Sequence, residues 1–183
     1  MTTSLAKAAA AAIAVLMPLA LMAAAGAQEV KTVPSVDLKR YAGKWYEIAK
    51  IPSGFQKKCV SGTTVEYRPR DDGDIDVTSR CKSTEGNDEE RGLARVAGGS
   101  GNTRLQVSFM PSWLSWLPWA WNDYWVTELD AQYTLATVGS PSRESLWILS
   151  RTPTVSDEQY ENAVNNATKQ GFDTARLVKT RQP

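Results

Sequence analysis

The chain of 183 residues contains no histidine. That absence removes the commonest general base, the usual partner of a serine or cysteine nucleophile, and the commonest metal ligand. Cysteine is scarce too, with only Cys59 and Cys81. An excess of either charge is also missing. With Lys7 set aside, 20 basic side chains stand against 20 acidic ones. Such a balance argues against nucleic acid and against strong attraction to anionic surfaces. Beyond the N-terminal segment, no apolar run is long enough to cross a bilayer as a helix. No cofactor or metal is expected.

What is present begins with a secretory pattern. Lys7 is the only charge in residues 1–27, Ala8 to Ala25 is apolar, and Ala25-Gly26-Ala27 has the small-x-small form that precedes cleavage. Residues 28–183 are then expected to form one domain in an exported, periplasmic protein. No cysteine closes the apolar run, so no lipobox anchor is expected, although association with the outer membrane is. In an oxidising compartment, Cys59 and Cys81 read as one disulfide closing a loop of about 23 residues. A reactive thiol is the alternative reading.

From residue 43 to 150 the hydrophobic pattern has period two. "TTVEYR" (63–68) places Val65 and Tyr67 on one face. After the turn "PRDDGD", "IDVTSRC" (75–81) alternates Ile75, Val77 and Ser79 with polar residues. The aspartates of that turn lack the spacing of a calcium loop. "KSTEGNDEE" reads as a polar loop before "GLARVA" (92–97), and "GGSGN" turns the chain into "RLQVSF" (104–109). "DYWVTEL", "YTLATV" and "SLWILSR" complete eight strands with "KWYEIAKI" (44–51). Short, evenly spaced strands predict a sandwich or an up-and-down barrel. One helix is predicted after Pro153, with Ser156 and Gln159 as a capping box and Gly171 as the stop. Tyr160, Ala163, Val164 and Ala167 form its packing face. "ARLVKT" (175–180) is expected to add an edge strand.

Three stretches resemble the lipocalin family. "YAGKWYEI" carries Gly43-Lys44-Trp45-Tyr46, similar to the G-x-W-Y signature of the first strand. "TELDAQYTLATV" is similar to the second conserved region, and "LWILSRTP" places Arg151 where the family has an arginine. The resemblance spans about Val36 to Pro183 and is closest to the group of bacterial lipocalins and apolipoprotein D. It implies an all-β, eight-stranded antiparallel barrel with the helix packed outside. It also implies that Trp45 and Arg151 stack across the closed end, and that Gly43 permits close backbone approach there. The structural signature is thus Gly43, Trp45, Tyr46 and Arg151.

In such a barrel "SFMPSWLSWLPWAWNDYW" (108–125) falls at the open end. It holds five of the seven tryptophans. Expected ligand contacts are Trp113, Trp116, Trp119 and Trp125 from this region. From the remaining walls and rim come Phe55, Tyr67, Val77, Val107, Phe109 and Trp147. Glu47 shares a side with Trp45, and a bulge turning it outward is expected. Lys57 and Lys58 are head-group candidates by position. The predicted function is non-enzymatic binding, transport or storage of a fatty acid or lysophospholipid for membrane maintenance. Peripheral membrane contact through residues 110–121 and a monomer or weak homodimer are expected. The alternatives are a lipid-modifying enzyme and a protein-recognition module using the tryptophan-rich loop.

Overall fold

The computed structural model describes residues 28–52, 58–98 and 101–183. The expected signal segment, Phe55 and Lys57 lie outside the described residues. Eight strands form the wall: β1 (Gly43–Lys50), β2 (Cys59–Pro69), β3 (Ile75–Ser83), β4 (Gly86–Val96), β5 (Arg104–Ser108), β6 (Asn122–Leu129), β7 (Leu135–Gly139) and β8 (Leu146–Ser150). Each pairs antiparallel with the next, and β1 pairs with both β8 and β2. The sheet therefore closes on itself, an eight-stranded antiparallel barrel. Register shifts in β1–β8, β2–β3 and β6–β7 supply the bends that closure requires.

One expected loop is strand. The residues read as a polar connection continue the β3–β4 ladder, with Ser83 opposite Gly86. Their polarity reflects solvent on the outer face. There Arg80 bridges Glu66 at 3.0 Å and Glu89 at 2.7 Å, and Arg91 reaches Glu89 at 2.8 Å. Only Thr84 and Glu85 form the turn, with Ser83 Oγ accepting from the Glu85 N–H.

One end is sealed. The short helix α1 (Leu38–Tyr41) is capped by Asp37, whose carboxylate accepts from Lys39 N and Arg40 N. Trp45 is fully buried beneath it and donates from Nε1 to Tyr41 O at 2.8 Å. Gly43 is needed for its φ of +93°, not for close packing. A Cβ added there would meet Arg151 Nη1 at an ordinary 3.5 Å.

The second helix, α2 (Asp157–Lys169), carries the expected capping box and ends before Gly171 at φ +83°. Its Ala163 packs outside the barrel on Ile48, Ala49 and Ile148, while Ala167 meets Val30, Ile51, Leu146 and Phe172. Beyond it, β9 (Val178–Lys179) pairs with Ala49 and Lys50 of β1. The pairing of β1 with β2 ends at Tyr46 and Thr64, so the wall splits toward the open end. The C-terminal residues fill the split. Gly62 N donates to Arg181 O at 2.8 Å, Thr180 N donates to Ile48 O at 2.9 Å, and Gln182 Nε2 donates to Glu47 O and Thr63 O.

Candidate functional site: the barrel cavity

Above Trp45 the barrel is hollow. The cavity measures about 490 Å³ and opens opposite the sealed end, a volume within the usual range of small-molecule sites. Tyr67 and Tyr124 form its floor. Tyr67 OH donates to Tyr124 OH at 2.7 Å, and the Tyr41 and Tyr124 hydroxyls lie 2.9 Å apart. Burial pushes all three phenols well above the ordinary tyrosine range, so the floor is uncharged.

The apolar walls follow from strand parity. Tyr67, Val77, Val107, Phe109 and Trp147, all expected on sequence, line the cavity. The Trp147 ring stacks on Tyr124 with centroids 6.5 Å apart. Phe109 takes its position because residue 92 is glycine. A Cβ there would sit 2.4 Å from Ser108 O and 2.8 Å from Phe109 Cδ1. Val65 and Leu149 complete the wall.

Trp125 does not face the cavity. It packs outside with Val30, Leu146 and Phe172, and Arg104 Cζ lies 4.3 Å from its ring centre. Tyr124 takes the inward place, opposite Leu105 of β5. Adjacent aromatics obscure the period-two pattern here, and a one-residue choice reverses the whole strand.

The tryptophan-rich segment divides in the same way. Two 3-10 turns, Ser112–Leu114 and Pro118–Ala120, shape it between β5 and β6. Trp121, absent from the expected contacts, lines the cavity. Its Nε1 donates to Ser115 O at 2.7 Å, and Arg95 Cζ lies 3.9 Å from its ring centre. Trp113, Trp116 and Trp119 point away from the barrel and are 71%, 77% and 66% exposed. They are crown residues, not cavity wall. Trp121 directly precedes the first residue of β6, and that adjacency was the available signal.

Glu47 is also corrected. The bulge lies between Glu47 and Ala49, so it turns Ala49 out under α2 and leaves Glu47 in the cavity wall, only 2% exposed. Its Oε1 accepts from Thr180 Oγ1 at 2.6 Å and pairs with Lys50 Nζ at 3.1 Å. Thr63, Thr64 and Ser79 stand beside it in the wall. Lys58 is exposed on the chain entering β2.

Cys59 and Cys81 are joined, with Cα atoms 5.6 Å apart. The β2–β3 register shifts between Cys59 and Ser61 and again before Thr64, which lets two residues from mismatched ladder positions meet. The joined sulfurs leave no thiolate to serve as a nucleophile.

A hollow eight-stranded barrel with an N-terminal tryptophan under an arginine is the architecture to which the sequence motifs pointed. Residues 36–182 match the family model described as a lipocalin-like domain. This chain belongs to the lipocalin family. The sequence is 38% identical over 157 residues to temperature-induced lipocalin-1 of Arabidopsis thaliana, covering 85% of this chain and 84% of that protein. It is 38% identical over 158 residues to the outer membrane lipoprotein Blc of Vibrio cholerae, covering 85% and 88%. Apolipoprotein D of Mus musculus is 30% identical, covering 80% and 77%. Among solved structures, apocrustacyanin C2 superposes with a TM-score of 0.64 at 19% identity, covering 80% of each chain. Insecticyanin of Manduca sexta gives 0.62 at 20% identity, covering 85% and 86%. At these identities the structural matches speak for the lipocalin fold alone.

Proposed function

We propose that this lipocalin is a non-enzymatic carrier. It takes up the chain of a fatty acid or lysophospholipid and serves transport or storage in the cell envelope, for membrane maintenance. The single observation that carries this reading is the aromatic-walled cavity of about 490 Å³, open at one end. Burying an alkyl chain contributes roughly 0.8 kcal/mol per methylene before ordering costs. Val77, Val107, Phe109 and Trp147 provide an apolar wall for that chain. Relatives named as outer membrane lipoproteins support a place in the envelope.

Reversible membrane contact belongs to the same proposal. Residues 110–121 contain no charged side chain, and their exposed indoles suit a membrane interface. The two stems of that loop, Phe109 and Trp121, line the cavity. A docked loop would therefore bring the open end of the barrel to the lipid surface. Native mass spectrometry of the protein from its host envelope tests the carrier reading. Adducts at the mass of one single-chain lipid are expected, and protein that stays empty after incubation with such lipids would refute it. The exposed indoles also favour a second reading, recognition of a protein partner.

A further inference from the structure

The polar side chains of the cavity are unbalanced in charge. Glu47, Asp123 and Glu144 line it, while no lysine or arginine does so among the described residues. Asp123 accepts from Gln106 at 3.4 Å, and Glu144 meets Arg176 at 3.5 Å; both acids stand at the rim end of the wall. Glu47 lies deeper, where β1 and β2 separate. Its Oε1 accepts from Thr180 Oγ1 at 2.6 Å and pairs with Lys50 Nζ at 3.1 Å.

Next to it is an orphan. Thr63 lines the cavity at 2% exposure, and among the described residues its Oγ1 has no hydrogen-bond partner. The Gln182 amide holds the two residues side by side, donating to Glu47 O at 2.7 Å and to Thr63 O at 3.0 Å. Native proteins rarely leave such groups unsatisfied, and a ligand is one of the standard ways of completing them. A carboxylate oxygen only accepts, and a threonine hydroxyl can accept as well. That hydroxyl can also donate, but Glu47 and the buried Gln182 Oε1 beside it, which has no hydrogen-bond partner among the described residues, can only accept, so the surroundings favour a donor.

We infer that this cavity selects a single-chain lipid whose polar end is a hydrogen-bond donor with positive charge, a primary ammonium, held by Glu47 and Thr63. A free carboxylate head would bring a fourth carboxylate to a wall where, among the described residues, the nearby cations are already paired, Lys50 with Glu47 and Arg176 with Glu144, so simple fatty acids are the disfavoured class. The inference rests on the carrier reading above and narrows its ligand.

Tryptophan fluorescence of the delipidated full chain tests it at neutral pH and low salt, with dodecylammonium, dodecanol and dodecanoate as chain-matched ligands. Dodecylammonium is expected to bind at least about tenfold more tightly than dodecanoate, with dodecanol between them. Glu47→Gln should reduce that ratio about fivefold or more. Thr63→Val, which keeps shape and charge, should weaken dodecylammonium about threefold and leave dodecanoate unchanged. It carries the test if the glutamine variant does not fold. A phosphoethanolamine lipid with one 12-carbon chain separates two sources of the ammonium. Binding like dodecylammonium supports a membrane lipid, and binding like dodecanoate supports a free amine. Equal binding of all three simple ligands, or a ratio that neither variant moves, overturns the head-group inference alone. If even dodecanol fails to bind, the carrier reading falls and takes the inference with it.

Discussion

Arg151 lies over Trp45, its Cζ 3.9 Å from the ring centre, and it also donates to the backbone carbonyls of Arg40, Tyr41, Ala42, Lys44 and Tyr133. Three of those carbonyls belong to the end of α1, where helical partners run out. One side chain therefore stacks on the plug, caps the helix that covers it and ties down the loop before β7. Lysine can place a charge there but cannot reach several carbonyls in one plane. Arg151→Lys is expected to lower stability by about 2–3 kcal/mol, from the stacking and the charged hydrogen bonds together. The midpoint of urea unfolding measures this, and ligand uptake in the folded fraction should be retained.

The Cys59–Cys81 bridge spans 22 residues of sequence and ties the entry of β2 to the end of β3. In the chain-entropy model a loop of that size is worth about 3 kcal/mol. The double variant Cys59→Ser, Cys81→Ser should fold with stability reduced by roughly that amount, about 2–4 kcal/mol. Reductant should lower the unfolding midpoint of the native chain and leave the variant unmoved.

Tyr41, Tyr67 and Tyr124 predict a particular alkaline behaviour. Burial raises all three in the fold, so the native state keeps protons that the unfolded state loses. Where the unfolded chain binds fewer protons, stability falls with rising pH. Their contribution is complete below the ordinary tyrosine range, near pH 10, and declines above it. Phenolate absorbance should accordingly rise in two stages. Tyr41, Tyr67 and Tyr124 form the late group, which ionises only as the protein unfolds. Tyr67→Phe should reduce that late group from three to two.

How much of this could be read in the chain depended on what set each residue's direction. Val77, Val107 and Phe109 were legible because hydrophobic alternation and nearby turns defined their strands. Tyr124 and Trp125 were not, since either aromatic suits an inward face. The decision is made by Val30, Leu146 and Phe172 outside, from segments far apart in sequence. Glu47 was misread because its partners, Thr180 and Gln182, arrive from the opposite end of the chain. The five clustered tryptophans announced an apolar segment at the open end. Only the 3-10 turns decide that Trp121 faces the cavity while three others face away.

Those three indoles give the clearest separation between membrane docking and protein recognition. Trp116 is 77% exposed, so its removal creates no cavity in the fold and should change stability little. Partial insertion of an indole into a lipid interface is worth on the order of 1 kcal/mol, and three of them add up while the loop stays rigid. Trp116→Ala should therefore weaken co-sedimentation with phosphatidylethanolamine–phosphatidylglycerol vesicles about fivefold. Replacing Trp113, Trp116 and Trp119 together should abolish it. Uptake of a fluorescent single-chain lipid from solution should stay within about twofold of the parent, because Trp121 and Phe109 remain in the wall. If a protein partner is the true contact, vesicle binding will be absent from the start, and Trp116→Ala will instead dissociate a complex recovered from the host.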